Sequence, residues 1–475
     1  MNLTAKEKLS YGLGAVGKDM VYMLSASYVL YYFQDVLGVS AVAMGIILLA
    51  ARVFDAFNDP IMGFIVAKTQ TKFGKFRPWL MIGTITNAII LFVMFAAPPT
   101  MDAKGLTAYA AVFYILWGVT YTMMDIPYWS MIPAFTKGGK EREGLTTLAR
   151  SCAGVGSALV TIFTMILVNK IGNLVAGADA TAKQIEIAGF KWFALIIAVL
   201  FILFIAITCI NIKEKSTVDM KSPGVGEMFK ALISNDQAMT VVIAIVLINT
   251  SIYITSNLVI YFFKYDFGGT GWFNSYTLFN TFGGGIQILS MMLFYPLLRK
   301  KLSNNKIFYV CLTSAIIGYA VLLGIAFTSM GSVYILFIPG FFIFAANGVL
   351  QVLTTVFLAN TVDYGQLKNG RRDESVIFSM QTFVVKLASG VAAFIAALCL
   401  QLNNLSNANT TEADKTVDFA KNVAASAKAG LRMTMTIVPI VGLIVAILVF
   451  KNKFILSDEK MKEITDKIKE TNTQA

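Results

Sequence analysis

Repeated apolar runs of about 20 residues constrain this chain more than any other feature. A helix rises about 1.5 Å per residue, so each run is long enough to cross a hydrocarbon layer about 30 Å thick. Between charged or Gly/Pro-rich breaks, the runs fall near 12–34, 40–66, 77–98, 107–135, 146–170, 188–211, 239–262, 273–297, 308–328, 334–360, 375–400 and 431–450. Twelve transmembrane helices are expected. Of the 475 residues, 57% are hydrophobic and only 14% charged, against about 25% charge in an ordinary soluble domain. Soluble, disordered and fibrous classes are excluded, leaving an all-α membrane protein. The short polar N-terminus MNLTAKEKLSYGLG leads into an apolar run without a cleavage-like end, so the first helix is expected to stay in the mature chain.

The net charge of +12 is spread over short breaks and forms no single patch, which argues against nucleic-acid binding. Lys68, Lys72, Lys75 and Arg77 follow the second run, Arg299, Lys300, Lys301 and Lys306 the eighth, and Lys368, Arg371 and Arg372 the tenth. Even-numbered loops are thus the basic ones, and the positive-inside bias puts them and both termini in the cytoplasm. Residues 211–237 form the longest polar break near the middle and read as a linker with one short amphipathic helix around Val225–Leu232. They divide the chain into six-helix halves at 1–210 and 238–450, a plan that suits a transporter rocking about a central site. The break at 402–430, with Asn404 and Asn409 in Asn-x-Ser/Thr matches, is the largest external loop and resembles a partial surface helix. The remaining 451–475 read as a solvated cytoplasmic tail.

Charge inside a span costs about 2.5–3.5 kcal/mol on insertion scales, so each retained charge is a candidate for function. In the second span Arg52, Asp55, Asn58 and Asp59 wind along one helical face. Two carboxylates and an amide offer hard oxygen ligands to a small cation such as Na+, and a proton can neutralise one of them. The plainer reading is an Arg52–Asp55 pair that locks the bundle. In the fourth span Thr122 and Asp125 share a face, Trp129 follows one turn later, and Pro127 interrupts the helix. A carboxylate beside an indole can hold sugar hydroxyls while the ring covers an apolar sugar face. Lys18, Asp19 and Tyr22 at the first span, Arg150 at the fifth, and Thr382 and Lys386 in the eleventh flank the same expected cavity.

The chain has no histidine, which removes the usual zinc ligand and catalytic base. Cys152, Cys209, Cys311 and Cys399 lie far apart in or beside apolar runs and read as buried hydrophobes, with no divalent-metal site. No Walker lysine accompanies the glycine clusters, and no nucleophile–base constellation exists, so neither an ATP-driven pump nor an enzyme is expected.

Several of these segments are similar to the melibiose carrier branch of the glycoside-pentoside-hexuronide:cation symporter family, within the major facilitator superfamily. They are LSYGLGAVGKD at Leu9–Asp19, RVFDAFNDPIMG at Arg52–Gly63, KFGKFRPW at Lys72–Trp79, YILWGVTYTMMDIPYWSMIP at Tyr114–Pro133, TVDYG at Thr361–Gly365 and SMQTFVVK at Ser379–Lys386. The resemblance implies a sugar symporter of a bacterial inner membrane, coupled to Na+, Li+ or H+ and without other cofactors; a monomer is the default expectation, because one twelve-span chain can enclose its own route, with contact-driven dimers left open. The resemblance assigns the cation to Asp55, Asn58, Asp59 and Thr122, with Asp125 close to both sites. It assigns the sugar to Lys18, Asp19, Tyr22, Asp125, Trp129, Arg150, Thr382 and Lys386. Gln351 stands where the melibiose carriers have a tryptophan, a departure that leaves pentosides and hexuronides open beside galactosides. The GKFR segment with Lys72, Lys75 and Arg77, together with Arg299 and Arg372, resembles the gating loops. A membrane sugar sensor that binds without transport is the alternative from a different class.

Overall fold

The computed structural model describes residues 3–136, 139–177, 179–212, 214, 230, 233–328, 330–370, 372–405 and 417–474. Among them the regular structure is helical. The long helices are α1 (Ala5–Tyr31), α2 (Ala41–Lys68), α3 (Arg77–Phe95), α4 (Ala103–Phe135), α5 (Gly139–Ala176), α6 (Ala182–Asn211), α7 (Asp236–Phe262), α8 (Trp272–Leu289), α9 (Asn304–Thr328), α10 (Val333–Asn369), α11 (Glu374–Leu402) and α12 (Ala425–Lys453). A terminal helix, α13, covers Asp458–Gln474. Wider π-type turns extend α1 over Tyr32–Val36, α7 over Phe263–Phe267 and α8 over Ser290–Phe294.

Ten of these helices are long and apolar enough to cross a membrane. The ten do not include α1 and α2, although each has more than enough length. α1 carries Lys18 and Asp19 among glycines, serines and tyrosines, and α2 carries Arg52, Asp55 and Asp59 within an otherwise apolar run. Their charge is nevertheless sorted by face. On α2, Phe54, Phe57 and Ile61 are exposed while Asp55, Asp59, Met62 and Val66 are buried. On α3, Ile82, Ile85 and Ile89 form an exposed stripe while Leu80, Thr84, Asn87 and Leu91 are buried. An apolar outer stripe over a polar inner one is the amphipathic rule inverted for a lipid solvent.

The chain divides into two compact units, one of residues 1–234 with 365–383, the other of 235–364 with 384–475. In the first, α1 packs on α5 and α6, α3 on α4 and α6, and α2 on α4. In the second, α12 packs on α7 and α9. The expected cut at 210 and 238 put residues 365–383, which span the turn between α10 and α11, in the second half. Side chains explain their membership of the first unit. Arg372 donates from Nη2 to the Pro133 carbonyl at 3.0 Å, and Lys75 Nζ lies 3.7 Å from Glu374 Oε2.

Other expectations shift at the ends of elements. The helices overrun the apolar runs: the fifth, expected at 146–170, covers Gly139–Ala176. The proposed helix around Val225–Leu232 lies almost wholly outside the described residues, as does much of the 402–430 break, including Asn409. Its described end is a short 3-10 turn at Phe419–Asn422, and α12 begins already at Ala425. The tail is less solvated than its composition suggests. Ile464 is buried, and Asp458 pairs with Arg299 at 2.8 Å, fixing the first turn of α13 to the basic segment after α8.

One polar device holds the α2–α3 turn. Glu214, just past α6, accepts backbone N–H bonds from Lys75 at 2.6 Å, Phe76 at 2.9 Å and Arg77 at 3.1 Å. These amides open α3, where a carboxylate also meets the positive end of the helix dipole. Gly74 makes the approach possible: its φ is +107°, and a Cβ there would overlap the Glu214 carboxylate. Glu214→Ala is expected to cost about 1–2 kcal/mol, read as a lower melting temperature of the purified protein, while Lys72→Ala, exposed in the same turn, should change it little.

Candidate functional site

The charged side chains singled out in the first unit form two adjoining sets, both anchored on α4. The inner turns of α4 are buried on every side, from Tyr121 through Phe135. Four of its residues, Tyr121, Thr122, Asp125 and Trp129, recur at helical spacing and supply a partner in most of the contacts below.

The first set centres on Lys18, which is 3% exposed. Its Nζ lies 2.8 Å from Asp125 Oδ1 and 2.9 Å from Asp19 Oδ2, and donates to the Tyr121 hydroxyl at 3.3 Å. Trp129 Nε1 donates to the same Asp125 oxygen at 3.1 Å. The indole face is covered by Arg150, whose guanidinium carbon stands 3.8 Å from the ring centroid, and Lys18 Nζ lies 4.9 Å from it. Two cations and two carboxylates balance to zero formal charge. The set also offers hydroxyl acceptors, guanidinium donors and an aromatic face, the functional groups by which a sugar ring is held.

The second set lies one turn along α4. Thr122 Oγ1 donates to Asp59 Oδ1 at 2.8 Å, with Asp59 fully buried. Asp55, 8% exposed, lies against Gly118, where a Cβ would come within 2.9 Å of its Oδ1. The absent side chain at Gly118 is therefore what lets the carboxylate approach α4. The Asn58 amide nitrogen is buried without a hydrogen bond. Because amide oxygen and nitrogen exchange places on a half-turn, the same position can present an oxygen. Two carboxylates, a hydroxyl and an amide make a hard-oxygen donor set suited to a small monovalent cation or a proton.

Asp125 stands in the first set, and Asp55 and Asp59 in the second. Among the described residues, no three acidic or soft ligand side chains converge as a metal cluster would require. Asp125 turns its Oδ1 to Lys18 and Trp129, while Asp59 turns to Thr122. Arg52 sits among Tyr22, Tyr114 and Asp55, with the Tyr22 side chain as a hydrogen-bond partner, so it is not a simple Arg52–Asp55 lock. Tyr22 also tilts against Tyr121 and Trp117 at 5.6 and 6.3 Å between centroids.

Thr382 donates to the Phe378 carbonyl of its own helix at 3.2 Å. Gln351 and Lys386 belong to the second unit, both half-buried. Lys72 is exposed, and Arg77 enters the Glu214 cap through its backbone. Arg299 serves the α13 contact.

Some participants escaped the sequence reading. Tyr121 precedes Asp125 by one turn, and that spacing could have flagged it. Tyr11 and Tyr128 stack at 4.4 Å and each donates to the other's carbonyl, tying α1 to α4 beneath Lys18. Glu374 accepts from Arg372 Nε at 2.7 Å as well as facing Lys75; an acid within a basic loop was its only signal.

Comparison with known proteins agrees with this architecture. A family model described as MFS/sugar transport protein matches residues 10–452. The raffinose carrier protein of Pediococcus pentosaceus is 29% identical, aligned over 98% of this chain and 71% of its own. The isoprimeverose transporter of Lactiplantibacillus pentosus is 27% identical over 92% of this chain and 86% of its own. A lactose permease of Lactobacillus delbrueckii subsp. bulgaricus is 26% identical over 97% and 72%. Among solved structures, the proton:xylose symporter XylE superposes with a TM-score of 0.62 at 14% identity, covering 97% of this chain and 98% of that one, a likeness of fold.

Proposed function

Because the chain belongs to the MFS/sugar transport protein family, we propose that it is a secondary symporter carrying a neutral glycoside together with one Na+, Li+ or H+. The observation that carries the reading is the pairing of Lys18 with both Asp19 and Asp125 beside Trp129, one turn from the Asp59–Thr122 contact. In this reading Asp19 and Asp125 accept sugar hydroxyls, Arg150 donates to sugar oxygens, and Trp129 supplies the stacking face. Asp55, Asn58, Asp59 and Thr122 hold the cation. Thr382, Lys386 and Gln351 approach the sugar from later in the chain.

Coupling follows from the shared helix. A cation on the Asp55/Asp59 set reorganises the face of α4 that also presents Asp125, so the two ligands stabilise one another. Partial occupancy leaves buried charge uncompensated and disfavours transit, which is a difference between conformational states and not mere tight binding. Twelve transmembrane helices in two halves, with both termini in the cytoplasm, complete the alternating-access scheme.

Neutral sugars are favoured over hexuronides because the two cations near Trp129 are matched by two carboxylates, leaving no net positive charge for an acidic sugar. The relatives' names cite raffinose, lactose and isoprimeverose, all glycosides, which supports the same class. Galactosides such as melibiose head the expected substrates. The test is uptake of labelled galactosides, pentosides and glucuronides into proteoliposomes under imposed Na+ or H+ gradients. Accumulation of a neutral glycoside with one gradient is expected. Preferential accumulation of glucuronides would replace the substrate assignment, and binding without flux under every gradient would favour a sugar sensor.

A further inference from the structure

A cavity of about 550 Å3 opens in the first unit away from both charged sets, lined in part by Pro99, Val175, Lys183, Ile187, Lys191 and Trp192. It lies where three elements meet: the turn after α3, the last turn of α5 and the first turns of α6. Pro99 follows the end of α3 opposite its Glu214 cap, so the cavity is at the other end of the bundle from the Lys75–Glu374 contact.

Its depth in the membrane can be read from α6. Residues 192–211 comprise 20 positions without Asp, Glu, Lys or Arg, which is about 30 Å of helix and fills the hydrocarbon layer. Trp192 thus sits at the boundary of that layer, where indoles concentrate, and is 40% exposed. Lys191 begins the headgroup zone, and Lys183 lies about 12 Å farther out along the axis. Side chains on a helix lean toward its N-terminus. For α6 that direction is outward for both lysines, so their ammonium groups stay about 12 Å apart along the axis. Lys191 Nζ stands 5.8 Å from the Trp192 ring centroid.

Charge in the cavity is positive. The nearby acid Glu186 accepts a hydrogen bond from Tyr31 at 3.1 Å and does not line the wall. The exposed Asp179 lies in the preceding turn and is not part of the lining either. The first-turn amide of Gln184 is turned inward to the Thr181 hydroxyl, at 3.3 Å. A ligand here therefore meets lysines on either side of Ile187 in the headgroup zone, and Trp192 where the hydrocarbon layer begins. We propose that the cavity is a binding site for an anionic glycerophospholipid, its phosphate beside Lys191, the rest of its headgroup reaching toward Lys183 and the upper part of an acyl chain against Trp192. A zwitterionic headgroup carries its own cation and gains less from two lysines.

Native mass spectrometry of the delipidated, detergent-purified full chain, titrated with phosphatidylglycerol or phosphatidylcholine, tests the site. The wild type is expected to retain phosphatidylglycerol preferentially. Lys183→Gln/Lys191→Gln should weaken that binding about 25-fold, at about fivefold per lysine near a membrane surface, and leave phosphatidylcholine unaffected. Lys104→Gln/Lys170→Gln removes the same charge outside the cavity and should have little effect. Equal losses in both double variants would mean a diffuse surface attraction, and no loss in the first would mean no site; either overturns the proposal. Competition by inorganic phosphate as strong as by the lipid would also overturn it, by showing an anion site in which the acyl chain plays no part. If the first double variant does not fold, Trp192→Ala tests the acyl wall separately, with reduced phosphatidylglycerol retention expected and unchanged retention counting against the site.

Discussion

Asp59→Asn is expected to keep sugar exchange across a membrane while losing cation-driven accumulation. Asp59 is fully buried on α2, and its Oδ1 accepts from Thr122 at 2.8 Å. A carboxylate at that depth must be compensated by positive charge or by a proton, and a coupling cation is compensation that arrives and leaves with each cycle. Asparagine preserves the acceptor for Thr122 and nearly the same volume but removes the charge. The variant therefore no longer needs the cation to become neutral, and the sugar-loaded carrier can cross without it. One positive charge moving down 100 mV supplies about 2.3 kcal/mol, equivalent to about fiftyfold accumulation. That factor should vanish in proteoliposomes energised by a cation gradient, while counterflow of labelled sugar persists. Undiminished uphill uptake by folded Asp59→Asn would remove Asp59 from the coupling machinery.

The residues that make this prediction possible were visible in the sequence because lipid makes charge conspicuous. Arg52, Asp55 and Asp59 interrupt an otherwise apolar helix at spacings that share one face, and the structure puts their side inward and Phe57 and Ile61 outward. Contacts between helices were not legible. Nothing in the spacing of Lys18 says that its ammonium reaches Asp125, 107 positions later, or that Asp125 and Asp59 serve separate sets. Glu214 was hidden for a different reason. A glutamate in a polar linker looks solvated, and only the positive φ of Gly74 and three amides aimed at its carboxylate reveal a cap. In α13, Met461, Ile464 and Ile468 recur at i, i+3 and i+7 among charges, a narrow apolar stripe that the high charge of the tail masked.

Lys18→Met should produce the largest combined loss of stability and sugar binding in the first unit. The ammonium is shared by Asp19 and Asp125, at 2.9 and 2.8 Å, and also donates to Tyr121. Methionine approximates the length of the side chain but leaves two carboxylates facing one another. Removing one partner of a buried ion pair costs about 3–5 kcal/mol; the Asp19 side chain keeps 20% of its exposure, which places the expected cost toward the lower end. Sugar affinity should fall about 100-fold as the two acceptors lose their orientation, given about 1.5–3 kcal/mol for a hydrogen bond to a charged group. A double variant, Lys18→Met/Asp125→Asn, separates the two effects. Neutralising one carboxylate removes the repulsion, so most of the melting temperature should return, while sugar binding stays lost because the acceptor at Asp125 is now an amide whose geometry is set without the lysine. Recovery of both stability and binding in the double variant would assign Lys18 and Asp125 a structural role alone. Wild-type affinity in folded Lys18→Met would move the sugar site away from the Trp129 face altogether.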